Sequence, residues 1–352
     1  MILIFTCAVI LLVLGLTIKM KLNLKHLLCE VSYQLYYYLL GGTAMFEDYF
    51  YRRNNKIEIV SRPEKVAVIT GGARGLGVEV VRALLQCNMN VIIGCRNVEA
   101  GEKMIEKIRP SGDYNGRASC VHLDLMSLKS VQSFAEFVIN KYPRLHYLIN
   151  NAGIMFVPYQ LTEDGYESHF AVNYLGHCLL THLLLPHLKA GGQEQDINSR
   201  IVNVSSCAYM AGSIHFKDFS MKDMYIPSAA YAQSKLAQIL FTNHLDRLLK
   251  TDEAPVQIHS VHPGIVNTDL FNGTLLKTIA PWVPYIFFKT PRQGAASVLY
   301  ACLSADLEGC GGTYISNCRV SKTTSKARDQ ATQECLWSAM LNMIHVNKFG
   351  EK

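Results

Sequence analysis

The chain has 352 residues, 49% hydrophobic and 18% charged, which excludes a disordered protein and allows one large domain or two small ones. Its net charge of +6 is dispersed, and no basic stretch is interleaved with aromatics, which excludes a recognisable nucleic-acid patch. The 11 cysteines include no Cys-x-x-Cys pair and read as reduced thiols of a cytosol-facing domain, and His259 and His262 lack partners at metal-ligand spacing.

Residues 2–18 are almost uninterruptedly apolar, close to the roughly 20 residues that span a bilayer. A cleaved signal peptide is the rival reading. It is weakened because no Lys or Arg precedes the run and no small-x-small site follows it. Lys19, Lys21 and Lys25 come just after and would hold the downstream side in the cytosol. Residues 1–25 are therefore expected to be a membrane anchor and 26–64 a juxtamembrane linker. Within it, Tyr36, Tyr37 and Tyr38 have the look of interfacial tyrosines, and 45–64 is polar without apolar periodicity. The globular part begins with a β-branched run over 65–70, bounded by glycine like a buried parallel strand. The pattern continues as helix 76–86, strand 90–95, helix 98–108, strand 118–123, helix 127–140 and strand 145–150. A long helix near 165–188, strand 200–205, helix 229–249 and strand 256–261 complete it. Strands alternating with long helices predict right-handed βαβ units and an α/β, doubly wound parallel sheet of the Rossmann type. A single catalytic domain is expected over 65–320, with 321–352 as a C-terminal extension.

Thr70-Gly71-Gly72-Ala73-Arg74-Gly75-Leu76-Gly77 lies between a predicted strand and a predicted helix. Glycines there let backbone amides close on a pyrophosphate, and the helix N-terminus favours negative charge. Alone, such a turn is often only a turn. Tyr231-Ala-Gln-Ser-Lys235 places a phenol and an ammonium on one helix face. A cation beside a phenol favours the phenolate and lowers its pKa from about 10, making a general acid/base for alcohol chemistry. On its own the pair could equally be a half-exposed helix face.

These stretches occur in one order with Asp124, Asn150-Asn151-Ala152-Gly153, Asn173, Ser205-Ser206 and Pro263-Gly264-x-x-x-Thr268. In that order the chain resembles a short-chain dehydrogenase/reductase over about residues 65–314. The resemblance implies that Ser206 bonds the substrate oxygen and Tyr231 exchanges the proton. Lys235 would lower the Tyr231 pKa and hold the nicotinamide ribose, and Asn173 would support a proton-relay water. For the cofactor it implies the turn bearing Gly71, Gly75, Leu76 and Gly77 at the pyrophosphate, and Asp124 at the adenine. The adenosine ribose would fall to Asn151, Ala152 and Gly153, and the carboxamide to Ile265, Val266 and Thr268. Asp124 alone could instead cap the helix ahead of Ser127. The second strand ends Gly94-Cys95-Arg96 without the acid that would bond a 2′-hydroxyl and repel a 2′-phosphate. Arg96, with Arg74, can make charge-assisted bonds to phosphate, so NADP(H) is favoured and NAD(H) stays open.

The stretches Val172-Asn173-Tyr174-Leu175-Gly176-His177 and 200–206, with the long insert before Tyr231, are similar to the retinol-dehydrogenase-like branch. That branch is membrane-bound and acts on lipid alcohols. Residues 262–270, 288–291 and 307–314 resemble a subgroup associated with polyisoprenoid alcohols and aldehydes. A retinoid or steroid is the alternative substrate, and a nucleotide-binding scaffold without turnover the alternative function. The resemblance implies an endoplasmic reticulum membrane enzyme with a cytosolic catalytic domain. A lipid droplet, or secretion if the N-terminal segment is cleaved, are the other placements. It further implies a homodimer through the helices bearing Asn173 and Tyr231. Residues 278–288, apolar and broken by proline, read as a substrate mouth, a membrane contact or a buried helix. The sequon Asn272-Gly273-Thr274 would be glycosylated only in a lumen.

Overall fold

The computed structural model describes residues 24–53, 55–109, 115–193, 197–271 and 280–351. The expected anchor over 2–18 and the Asn272 sequon lie outside them. One eight-stranded sheet runs in the order β3-β2-β1-β4-β5-β6-β7-β8. Its strands are β1 (Val66–Thr70), β2 (Asn90–Cys95), β3 (Arg117–His122), β4 (Tyr147–Asn150), β5 (Ser199–Val204), β6 (Val256–His262), β7 (Tyr314–Ser316) and β8 (Arg319–Ser321). All neighbours pair in parallel except β7 and β8, which form an antiparallel hairpin. Both faces are covered, so β1 is buried along its whole length, as a parallel strand between two helical layers must be.

The helices are α1 (Leu24–Tyr51), α2 (Leu76–Gln86), α3 (Val98–Ile108), α4 (Leu128–Lys141), α5 (Gly176–Gly192), α6 (Pro227–Thr251), α7 (Pro291–Leu303) and α8 (Gln330–Met343). One apolar core includes Phe134, Leu148, Leu180 and Leu240, and the other Ile69, Leu84, Ile93 and Val298. Chain order reverses at β1, which lies between β2 and β4, and this is where open α/β sheets bind ligands beyond their C-terminal strand ends.

Beyond β6, where the expected series of strands and helices ends, the structure adds α7 and the β7–β8 hairpin, and three further regions differ from the expectation. Over most of 26–64 the linker is replaced by α1, which packs on the domain through Tyr33, whose hydroxyl donates to Ala211 O at 3.3 Å, and Gln34, whose amide donates to Ser228 Oγ at 2.7 Å. The long helix expected near 165–188 is a short turn, Ser168–Phe170, then a π-helical turn, Ala171–Leu175, and then α5. The 321–352 extension belongs to the core: Leu336 and Met340 are buried, and Trp337 stacks on Phe241 at 5.7 Å. No described helix is long and apolar enough to cross a membrane.

Candidate active site

The site grows from the ends of β1 and β4. Thr70 Oγ1 accepts the amides of Asn151 (3.0 Å) and Ala152 (2.9 Å). Its own proton is then left for His177 Nε2, at 2.9 Å, so His177 Nδ1 carries the hydrogen that faces Asn173 O at 3.2 Å. Burial holds His177 neutral, with its pKa pushed down to about 3. Asn151 Nδ2 donates back to Thr70 O and Gly71 O at 2.9 and 3.1 Å. Nothing in the sequence reading singled out Thr70 and His177 as the latch between the strands.

Two glycines are required sterically. Gly71 has φ +66°, and a Cβ there would lie 2.9 Å from Ala152 Cα; at Gly77 a Cβ would lie 2.3 Å from Gly71 O. The concave backbone turn at the start of α2 therefore exists only with hydrogen at these positions. We expect Gly77→Ala to force the turn open, with overpacking of about 1–3 kcal/mol, and to weaken dinucleotide binding about tenfold or more. Fluorescence titration with reduced cofactor measures this, and an unchanged affinity would separate the turn from the ligand.

On the other side of β4, Asn173 sits in the π-helical turn, a local form often found at functional sites. Its Oδ1 accepts the Ile154 amide (2.9 Å), and its Nδ2 donates to Ile154 O (3.0 Å) and Ser234 Oγ (2.9 Å). Asn173 thus fixes the loop after Gly153, and no described bond joins it to Tyr231. Ser205 and Ser206 separate cleanly. The Ser205 hydroxyl donates to Lys235 O at 2.9 Å and is built into α6, whereas Ser206 faces the cavity and hydrogen-bonds Tyr231.

Tyr231 and Lys235 lie one turn apart on α6, both buried, with Lys235 Nζ 5.6 Å from the phenol ring centre. Burial holds the Tyr231 phenol above its ordinary range, and the bond from Ser206 is what pulls it down. The Lys235 ammonium is turned to Val204 O (2.8 Å) and Gln238 Oε1 (3.0 Å). Burial brings Lys235 down to about 7. Asp124 is not the cap of α4. Ser127 caps it, and Asp124 Oδ1 accepts the Met126 amide at 3.0 Å.

These groups open into one cavity of about 2210 Å³, well above the roughly 300–1,000 Å³ usual for a small-ligand site. Gly75, Leu76, Arg74, Arg96, Asp124, Gly153, Val266 and Thr268 line it together with Ser206, Tyr231 and Lys235. Arg74 and Arg96 are exposed there, with no carboxylate partner among the described residues. At the reacting end, Phe156, held at φ +57°, packs edge-on against both Tyr231 (6.0 Å) and Tyr37 of α1 (5.7 Å). Further out the walls are apolar: Leu39, Phe46 and Phe50 of α1, with Trp282 and Phe287.

Residues 65–276 match the family described as short chain dehydrogenase. The chain belongs to the short-chain dehydrogenase/reductase family. It is similar to human polyprenol dehydrogenase, 40% identical over 291 residues covering 81% of this chain and 86% of that one. Human retinol dehydrogenase 11 is also 40% identical, over 285 residues covering 81% and 87%. These place the chain in the retinol-dehydrogenase-like branch. An uncharacterized protein from Mycobacterium paratuberculosis superimposes with a TM-score of 0.65 at 30% identity, covering 82% of this chain and 97% of that one. The Pseudomonas aeruginosa RhlG–NADP complex, TM-score 0.58 at 21% identity over 74% of this chain and 97% of that one, shares the fold. The protein is thus an NAD(P)-dependent oxidoreductase acting on CH–OH groups. Its own residues fit the dinucleotide: a glycine cradle that a Cβ would fill, a helix N-terminus behind it, and a buried phenol and ammonium beyond.

Proposed function

We propose that the enzyme interconverts a long lipophilic alcohol and its carbonyl compound, a polyisoprenoid in the first instance, at a membrane. The observation that carries this reading is the meeting of Ser206, Tyr231 and Lys235 at the inner end of an apolar cavity walled by α1. When bound, the nicotinamide supplies or takes up the hydride. The Ser206 hydroxyl donates to the substrate oxygen, and Tyr231 gives that oxygen its phenolic proton in reduction and, as the phenolate, takes the alcohol proton in oxidation. Lys235 holds the ribose hydroxyls, Asn173 keeps the 154 loop in register, and Phe156 excludes water from the carbinol carbon. Arg96 and Arg74 at the adenosine end support NADP(H). Resemblance to polyprenol dehydrogenase supports the polyisoprenoid, and resemblance to retinol dehydrogenase 11 keeps a retinoid as the second reading. The apolar residues 2–18 and the lysines after them support an endoplasmic reticulum anchor with the domain in the cytosol.

The test is a microsomal preparation of the full chain assayed with polyprenyl, retinoid and steroid substrates under each cofactor. Preferential turnover of a polyprenol or polyprenal supports the reading. Intact cofactor binding without turnover of any of them would favour a nucleotide-binding scaffold. For the cofactor, Arg96→Asp should weaken NADP(H) selectively, by about 2–4 kcal/mol, because a charge-assisted contact is lost and a repulsion added. Equal wild-type affinity for NAD(H) and NADP(H) would remove the basis for the arginine argument.

A further inference from the structure

The outer face of α1 is apolar where no part of the described protein covers it. Leu28, Leu35, Leu39, Phe46 and Phe50 are exposed, by 60, 41, 67, 66 and 62%. Their successive spacings of 7, 4, 7 and 4 residues put all five within an arc of roughly 60° at 3.6 residues per turn. The stripe runs 22 residues, roughly 33 Å at 1.5 Å per residue. The opposite face carries Tyr33, Tyr37, Ala44 and Asp48, which contact the domain. A helix that buries one face in its protein and presents a second apolar stripe on the other is built for two apolar neighbours.

The stripe does not end with the helix. Tyr285 and Ile286, 78 and 52% exposed, continue it from the short helix Val283–Phe287. The join is direct, since Arg52 donates to Ile286 O at 3.3 Å and the Tyr49 and Phe287 rings lie 6.4 Å apart. At this end the apolar surface is rimmed by cations. Arg52 stacks over Tyr49 at 4.3 Å, and Arg53 and Lys56 are exposed, whereas Arg319, over Tyr51 at 3.9 Å, is paired with Glu47 at 2.6 Å. Leu39, Phe46, Phe50 and Trp282 are at once exposed on this surface and part of the cavity wall, so the patch surrounds the cavity mouth.

We propose that this face is a docking surface for the leaflet of an anionic lipid bilayer, with α1 lying in the interface plane and the cavity opening into the acyl region. Two features select a bilayer over another occupant. The chain N-terminal to α1 carries the apolar run 2–18, which brings any membrane it enters to the start of the stripe. The apolar stripe with a cationic rim matches the acyl-to-headgroup boundary of an anionic leaflet, the arrangement by which interfacial helices bind. Asp48, locked into the domain beside the active site, makes the docked helix and the catalytic groups one rigid unit. A lipid alcohol would then reach Tyr231 along the cavity wall without crossing water. The proposal deepens the membrane placement given above and is independent of the reaction.

The protein's two tryptophans provide the test, because Trp282 lies in the patch and Trp337 packs on Phe241 and His244. Full-length Trp337→Phe and Trp282→Phe variants are reconstituted into phosphatidylcholine–phosphatidylserine vesicles with brominated acyl chains. Trp282 should lose more than half its emission, and Trp337 almost none. Leu28→Glu with Tyr285→Glu and Ile286→Glu, outside the cavity lining, should abolish the Trp282 quenching while circular dichroism is unchanged. A photo-cross-linking residue at Phe50 should label lipid. Vesicle flotation with Trp282 unquenched would overturn the docking face and leave the anchor standing, whereas loss of flotation would overturn both. A cross-linked dimer at Phe50 would give the surface to a second copy of the chain. None of these readouts requires turnover, so they stand whether or not the catalytic reading does.

Discussion

Tyr231→Phe should lower kcat by about a thousandfold or more, within the range general acid–base groups contribute, while cofactor affinity changes by less than about twofold. Only the hydroxyl is removed. The ring keeps its edge-on contacts with Phe156 at 6.0 Å and His169 at 6.4 Å, so the 154 loop and the cavity wall keep their shape. No nearby group can take over. Lys235 Nζ is committed to Val204 O and Gln238 Oε1, the Ser205 hydroxyl to Lys235 O, and His262 Nδ1 to the Cys207 amide. Ser206 can still donate to the substrate oxygen, but its hydroxyl is too weak an acid to complete the proton transfer at neutral pH. Burial also holds the phenol above its ordinary range, in the protonated form that donates to an alkoxide during carbonyl reduction. Nicotinamide absorbance at 340 nm follows turnover, and cofactor fluorescence follows binding. Retention of more than a few per cent of wild-type kcat would assign the proton to another group.

Where local chemistry and tertiary role coincide, the sequence was sufficient. A β-branched run stopped by glycine gave β1 and α2 to within a residue, because only a strand buried on both faces and a turn without side chains satisfy that pattern. The i, i+4 pair brought Tyr231 and Lys235 together because α6 is regular through both. Other features were hidden for physical reasons. In α1, apolar residues occupy two opposite faces, so no single 3.6-residue phase stands out, and a carboxylate near its end looked like the start of a polar linker. The π-helical turn around Asn173 breaks the helical period at the point where the function lies. Strand β7 has three residues, too few for any alternation to show. By contrast, α7 carried a readable signal: Thr290 caps the helix, Pro291 takes its first position, and Gln293 closes the box back onto the Thr290 amide. The orientation of Lys235 was beyond sequence altogether, since it depends on a carbonyl from β5 and an amide one helical turn away.

Asp48 is the functional residue least visible in the sequence, and Asp48→Ala should destabilise the protein by about 3–5 kcal/mol, the range for breaking a buried ion pair from one side. Its side chain is almost wholly buried, and Lys289 Nζ, fully buried, lies 3.1 Å from Oδ1. Asn317 Nδ2 donates to the same oxygen at 3.1 Å, and the Ile265 amide donates to Oδ2 at 2.7 Å. His262 Nδ1 accepts the Cys207 amide at 3.2 Å, so the proton is on Nε2, which faces Asp48 Oδ2 at 4.0 Å. Asp48 therefore ties α1 to the loop after β6. Alanine would leave the Lys289 ammonium in the interior without its carboxylate, beside Asn317 Oδ1 at 2.7 Å and Pro263 O at 3.4 Å, and the Ile265 amide without its acceptor. Thermal unfolding of the full chain in detergent should fall by about 10 °C. At temperatures where the variant is folded, KM for the cofactor should rise more than kcat falls, because Ile265 lies in the loop assigned to the carboxamide. Asp48→Leu combined with Lys289→Met removes both charges and should recover most of the stability but not the cofactor KM, since the Ile265 amide still lacks its partner. Equal recovery of both would reduce Asp48 to a fastening for α1, and an alanine variant as stable as wild type would remove it from the argument.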